Sequence, residues 1–293
     1  MRQHGVVTQE GSERLGALAG LVAGGGVVVL SGAGISTESG IPDYRGPNGT
    51  MNRRSPMTYQ AFTRDAAARR RYWARSHVGW LTMSGAAPNA GHRAVADLER
   101  QGLVSGVITQ NVDGLHQSAG ARAVIELHGS LYRVTCLGCG DSMSRAELHS
   151  RLGEANPWWD GRATRINPDG DVDLDDDQLD GFHTVDCQTC NGGMLKPDVV
   201  FFGENVPAPR VADCFALVES ARLLLVLGSS LTVMSGRRFV LRASKLGIPV
   251  AIVNRGRTRG DDYATLTLDA ALGTVLPELA HRTAGAADAL AAS

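Results

Sequence analysis

The stretch from Val27 to Gly46, VVVLSGAGISTESGIPDYRG, constrains the fold more than any other. The apolar run Val27–Leu30 enters a glycine turn, Gly32-Ala33-Gly34, with a single serine between. Such a run reads as a strand buried on both faces, as in parallel sheets. Glycines directly after it let a backbone approach a pyrophosphate, and a following helix start would add N–H groups and a positive dipole end. The G-x-G-x-x-G dinucleotide pattern is incomplete, because Thr37 replaces its third glycine. The cluster Pro42-Asp43-Tyr44-Arg45 follows almost at once.

Similar apolar runs recur at Val104–Ile108, Ala123–Glu126, Leu223–Leu227 and Val250–Val253, with helix-like patterns such as HRAVADLERQG and SGRRFVLRASKLG between several of them. Strands alternating with helices predict an α/β fold: a Rossmann-like parallel sheet covered on both faces. Ligands of such sheets bind at the carboxyl ends of the strands. Polar residues gather there: Gly32 to Gly34, Gln110 and Asn111, His128, Gly228-Ser229-Ser230, and Asn254. His128 follows a strand directly, where a general base is useful, whereas His92 and His116 read as structural. Asn111 and Asp113 are spaced to orient a water or an amide, and Asp43 and Arg45 suit a loop that folds over the ligand. The apolar run Val199–Phe202 reads as a strand that lines a hydrocarbon tunnel and offers a free edge to an extended peptide; a plain core strand is the alternative.

Two stretches interrupt the α/β pattern. Residues 46–81 are arginine-rich and then aromatic, and residues 135–194 hold four of the five cysteines. We therefore expect a large domain from 1–45, 82–134 and 195–293, and a smaller helical, zinc-binding module from 46–81 and 135–194. The cysteines form two C-x-x-C pairs, Cys136/Cys139 and Cys187/Cys190, with 47 residues between the pairs. Two such knuckles close a tetrahedral thiolate site around one zinc ion. Four thiolates leave no open position, so this zinc is structural. Cys214, in the apolar segment CFALV, reads as a buried small hydrophobe. The acidic run Asp169–Asp180 lacks the glycine of a calcium loop and reads as a solvated surface insertion.

The formal net charge of −1 gives no electrostatic footprint for nucleic acid. No apolar run reaches a membrane span, and the first residues carry no leader pattern, so a cytoplasmic location is expected.

Taken together, these motifs resemble the sirtuins, NAD-dependent protein-lysine deacylases, from about Val27 to Leu276. GAGISTESGIPDYRG is similar to the sirtuin cofactor loop, and TQNVDGLHQSAG and ELHGS to its core motifs. The cysteine pairs, KPDVVFFGE, GSSLTV and IVNRG follow in the family's order. The long cysteine insertion looks most like class II. The resemblance implies that NAD is consumed as a co-substrate: nicotinamide leaves, and ADP-ribose accepts the acyl group of an acylated protein lysine. His128 would be the base that deprotonates a ribose hydroxyl, with Asn111 as its catalytic companion. NAD would be held by Gly32, Ala33, Gly34, Ser36, Asp43, Tyr44, Arg45, Gln110, Asn111, Val112, Asp113, Gly228, Ser229, Ser230, Asn254, Arg255, Gly256 and Leu272. The peptide would pair by β-augmentation near Val199–Glu204 and Ser230–Val233. Family members that prefer dicarboxylic acyl chains carry a Tyr-x-x-Arg pair; here Arg53 and Arg54 have no tyrosine three positions before them, which argues against succinyl selectivity. The rival readings are a protein mono-ADP-ribosyltransferase on the same fold, a zinc-module nucleic-acid-binding protein and a classical NAD dehydrogenase.

Overall fold

The computed structural model describes residues 9–44, 56–161, 165–167, 170–174 and 176–291. In chain order the first elements are α1 (Gln9–Ala23), β1 (Val27–Ser31), α2 (Tyr59–Arg64), α3 (Ala66–Gly85), α4 (Ala90–Arg100), β2 (Val104–Thr109), α5 (Leu115–Ser118), β3 (Val124–Glu126), β4 (Gly129–Cys136) and β5 (Ser142–Ser144). There follow α6 (Arg145–Ala155), β6 (Arg165–Ile166), β7 (Val172–Asp173), β8 (Leu195–Val199), α7 (Ala208–Glu219), β9 (Leu223–Leu227), α8 (Met234–Lys245), β10 (Val250–Asn254), β11 (Leu266–Asp269) and α9 (Leu272–Ala291). Among the described residues, no helix is long and apolar enough to cross a membrane.

A six-stranded sheet in the order β11-β10-β9-β1-β2-β3 is parallel throughout. Its central strands divide their side chains between two cores. Val27, Val29, Leu223, Leu225, Ala251 and Val253 face α1, α4 and α9 through Leu18, Leu98 and Leu279. Val28, Leu30, Leu224, Val226, Val250 and Ile252 face α7 and α8 through Cys214, Val218, Phe239 and Val240. Burial on both faces is why these strands read as unbroken apolar runs rather than alternating ones. Cys214 is fully buried, as expected. β11 went unread in the sequence: LTLD is short and mostly half-exposed at the sheet edge.

The second unit is built on a three-stranded antiparallel sheet, β5-β4-β8. Phe62, Tyr72, Trp73, Leu148, Leu152 and Phe182 pack with Leu131, Val134 and Leu195 in its core. The domain boundaries expected from the arginine-rich and cysteine-bearing stretches shift accordingly. α3 runs unbroken across 81/82, β4 crosses 134/135, and β8 begins at Leu195 but pairs with β4 rather than with the large sheet. The expected strand Val199–Phe202 is also displaced. β8 ends at Val199, and beyond it Phe202 makes a single bridge to Thr58. Pro197 sits inside β8 because the strand is at the sheet edge, where a missing N–H is tolerated.

The acidic run is less solvated than expected: Val172, Leu174 and Leu179 enter the second core, and Asn167 donates to the buried Asp171 at 2.7 Å. Asp169 and Asp175 lie outside the described residues, as do Arg45, Arg53 and Arg54.

Candidate active site

The carboxyl ends of β1, β2, β9 and β10 open on one crevice of about 820 Å³, closed on its far side by the segment after β8. That volume is in the range of sites that enclose a cofactor-sized ligand. The floor is set by two loops in contact: Gly32 N–H donates to Leu227 O at 3.0 Å, and Gly34 N–H to Gly228 O at 2.9 Å. A Cβ on Gly34 would stand 2.8 Å from Gly228 Cα and O, and Gly228 itself has φ +60°. Neither backbone can retreat without breaking the sheet behind it. Gly34→Ala should therefore lower stability by roughly 2 kcal/mol or more and weaken NAD binding, measured by thermal melts and by titration calorimetry. Unchanged values would show that the loops yield. The turn does not lead into an α-helix, contrary to expectation. Two single 3-10 turns, Ala33–Ile35 and Thr37–Ser39, follow it and stop at Gly40, φ +85°, with Pro42 just beyond. With no α-helix here, no dipole end faces this loop.

At the end of β2, Gln110 Nε2 donates to Ser31 O at 3.2 Å and to Ser229 Oγ at 2.9 Å, tying three strand ends together. Asn111 Nδ2 donates to Gly32 O at 3.2 Å and to Ser36 Oγ at 3.0 Å. Ser36 in turn donates to Asp113 Oδ2 at 2.6 Å. Burial pushes the Asp113 carboxyl up from its ordinary range, against the downward pull of Ser36 and the Leu115 N–H.

Behind this network lie His92 and His116, 5.1 Å apart between ring centres. His92 closes the capping box at the start of α4, and His116 Nε2 lies 2.9 Å from Ser31 Oγ. Both are structural, as the sequence suggested. Burial, with His116 and Arg93 nearby, pushes His92 down to about 3, and burial pushes His116 down to about 4. A histidine whose folded pKa is depressed contributes stability that is complete above the unfolded value near 6.5. That stability is lost as pH falls toward 4 and 3. Melting temperature should be flat from pH 7 to 8 and decline below about 6.5, with His116 alone accounting for roughly 3 kcal/mol by pH 4. A flat profile down to pH 4.5 would contradict these burials.

His128 sits between the end of β3 and the start of β4, where the chain passes from one sheet to the other. Its Nδ1 is 2.9 Å from Gln110 O and its Nε2 is 2.8 Å from Ser235 Oγ. A carbonyl only accepts, so Nδ1 carries the proton, and the Nε2 lone pair faces the crevice and takes the Ser235 hydroxyl. Burial lowers the pKa, the Gln110 bond opposes this, and Arg210 and Arg238 lower it further. The ring is therefore neutral at pH 7.

The opposite wall is Val199 to Glu204. Buried Lys196 pairs with Glu204 at 3.0 Å, donates to Val199 O at 2.5 Å and lies 4.6 Å from the Phe201 ring centre. Glu204 also accepts the Phe201 N–H at 2.8 Å, while Val200 N–H donates to His128 O and Phe202 O accepts from Tyr59. Much of the expected free edge is thus already engaged.

The crevice collects most of the residues singled out: Gly32, Ala33, Gly34, Ser36, Asp43, Tyr44, Gln110, Asn111, Val112, Asp113, His128, Gly228, Ser229, Ser230, Asn254, Arg255 and Leu272. Gly256 is not on its wall; its carbonyl accepts from Asn254 Nδ2 at 3.0 Å and orients that side chain from behind. Three contributors went unread. Glu38 Oε1 accepts the Gly273 N–H at 3.1 Å and joins the cofactor loop to α9. Lys196 and Ser235 are the others. Glu38 and Ser235 meet partners 235 and 107 positions away, and Lys196 pairs with Glu204 eight positions on, beyond the end of its strand; no local pattern marks these contacts.

The four paired cysteines lie apart from the crevice with their sulfurs within 4.8 Å of one another. Cys136–Cys190 and Cys139–Cys187 sulfurs are 3.7 and 3.8 Å apart, far beyond a disulfide. Zn–S bonds of about 2.3 Å in a tetrahedron require about 3.8 Å between sulfurs, so the set fits zinc. Gly193 completes the fit, since a Cβ there would lie 2.3 Å from Cys136 Sγ.

Comparison with known proteins agrees with this geometry. The Sir2 family model matches residues 32–235, which takes in the crevice loops after β1, β2 and β9, His128 and the cysteine site, and stops short of Asn254, Arg255 and Leu272. The chain belongs to the Sir2 family. Among its Sir2 relatives, NAD-dependent protein deacetylase 1 of Streptomyces coelicolor is 60% identical over 272 residues, covering 93% of this chain and 91% of the relative. NAD-dependent protein deacetylase 1 of Mycobacterium avium is 53% identical over 268 residues, covering 90% and 93%. A solved Sir2 complex with a p53 peptide and NAD+ superposes with a TM-score of 0.70 at 32% identity, covering 93% of this chain and 98% of that one. The Sir2 fold thus runs through both sheets of the present chain.

Proposed function

We infer that this chain is an NAD-dependent protein-lysine deacylase of deacetylase type. The observation that carries the reading is His128: a neutral imidazole whose Nε2 faces a glycine-floored crevice in a Sir2-family chain. Bound NAD supplies an electrophilic ribose carbon and nicotinamide as leaving group, so that the acyl group ends on ADP-ribose and lysine is freed. The chain's own residues do the rest. Gly32, Ala33, Gly34, Gly228, Ser229 and Ser230 hold phosphates on the floor, and Asn254, Arg255 and Leu272 hold the adenosine end, with Gly256 supporting Asn254. Ser36, Asn111 and Asp113 form the carboxamide pocket, with Gln110 and Val112 beside it. Asp43 and Tyr44, together with Arg45, belong to the loop that shuts out water. His128 accepts a ribose hydroxyl proton at Nε2, and Asn111 orients the ribose beside it.

The acylated lysine enters along Val199–Glu204 and Ser230–Val233, where Phe202 and Val233 are 40% and 41% exposed and offer apolar surface to a peptide. The zinc holds β4 to β8 and so supports this wall; its four thiolates leave no position for catalysis. In this division the large sheet serves NAD and the second unit completes the acyl-lysine wall.

Mass spectrometry of a panel of acyl-lysine peptides, with and without NAD, tests the reading. The acyl mass should disappear only with NAD. Retention of the acyl group with a gain of ADP-ribose would instead favour the ADP-ribosyltransferase.

A further inference from the structure

The side of His128 that faces the crevice is held by α8, and the way α8 begins explains how. Its N-cap residue, Val233, supplies no side-chain oxygen. Ser235, two residues on, does not cap the helix either; its hydroxyl reaches 2.8 Å to His128 Nε2. The helix start comes this close because residue 236 is glycine. A Cβ there would lie 2.4 Å from Gln110 Oε1 and 2.7 Å from Gln110 Cδ. Gln110 is itself pinned by Ser31 and Ser229, and its carbonyl takes the other ring nitrogen of His128. Gly236, Gln110, His128 and Ser235 thus form a closed circuit around the imidazole, with a hydrogen bond at each ring nitrogen.

We propose that Ser235 is a positioning residue for His128, keeping Nε2 turned into the crevice and matching it in both protonation states. A serine hydroxyl can donate or accept. It donates to the lone pair of the neutral ring. Nε2 has a single in-plane lone pair, so the substrate hydroxyl must displace the Ser235 O–H from it. Once the substrate O–H bond breaks and an N–H bond forms at Nε2, the Ser235 oxygen turns to accept that N–H, and its own proton stays on Oγ. Alanine can do neither, and the ring is then fixed at one edge only. The inference rests on His128 being the base of the proposed deacylation.

Two measurements test it on the full-length chain. In nitrogen-15 NMR of the protein without NAD, the His128 Nε2 resonance should move toward that of an unbonded imine nitrogen in Ser235→Ala and stay near the wild-type position in Ser235→Thr. Kinetically, Ser235→Ala should lower deacylation about 10-fold, the worth of one hydrogen bond, with NAD binding and nicotinamide exchange retained. Ser235→Thr should recover most of that loss. In a His128→Ala background the serine substitution should add nothing, because it acts through the ring. An unmoved Nε2 resonance, wild-type turnover in Ser235→Ala, or a full 10-fold loss persisting without His128 would each overturn the assignment. A wild-type protein that shows the NMR contact but does not deacylate would overturn it through the function reading, which separates the two failures.

Discussion

In the His128→Ala variant, deacylation falls by ~10²-fold or more while NAD still binds. The ring carries its proton on Nδ1, because Gln110 O accepts it at 2.9 Å, and Nε2, whose lone pair takes the Ser235 hydroxyl before NAD binds, is the nitrogen left to accept a substrate proton. Burial and the Arg210 and Arg238 charges keep the pKa below its ordinary value, so the base is in its working form at neutral pH. The same shift sets the pH profile: the plateau of activity should extend below pH 6.5 before protonation of His128 ends it. Among the described residues, His128 is the one histidine lining the crevice, and no other is placed to substitute. Because the half-buried ring packs at the crevice edge, its removal should lower melting temperature little. Nicotinamide exchange should suffer less than product formation, since the proposed base acts on a ribose hydroxyl and not on the glycosidic bond. Equal losses in stability, exchange and deacylation would make His128 a structural cap; near-wild-type deacylation would remove the base from this position altogether.

Cys136→Ser should lose the bound metal, loosen the second unit and abolish activity at a distance. Cys136 ends β4 and pairs with Leu195 at the start of β8, and the Leu137 N–H donates to Met194 O at 2.8 Å. The two knuckles therefore clamp the base of the strand whose far end becomes the Val199–Glu204 wall. Binding of structural zinc contributes about 10–16 kcal/mol in isolated zinc-finger peptides, far more than a single side-chain contact. Loss of one thiolate should show as sub-stoichiometric zinc, a lower melting temperature and proteolytic cleavage within 137–194. No cysteine lines the crevice, so the activity loss should track unfolding of the module. Wild-type protein free of stoichiometric zinc, yet folded and active, would contradict this.

Much of the fold was legible because its central strands are buried on both faces. A strand such as Val27–Leu30 needs no alternation to be recognised, and the polar residue after each strand marks the crevice. The edges were harder to read. LTLD at Leu266–Asp269 lacks a continuous apolar run, and Pro197 disguises β8, whose edge position excuses it. The glycine turn reads as a close approach of backbone to a pyrophosphate; in the structure Gly34 also stands against Gly228, and the helix expected after the turn is a pair of 3-10 turns. Side chains that act across the fold left no trace in the sequence. Ser235 meets a residue 107 positions earlier, and Glu38 one 235 positions later. Patterns in sequence report local period and spacing; such contacts depend on how two sheets and their helices are finally packed.

Stoichiometry tests NAD-dependent deacylation most directly. Purified protein is incubated with NAD and an acetyl-lysine peptide, and nicotinamide, free lysine peptide and acyl-ADP-ribose are quantified together. Equal amounts of all three are expected, with no reaction without NAD and inhibition by added nicotinamide. Deacylation that proceeds without NAD, or NAD turned over to NADH with the peptide untouched, would contradict it.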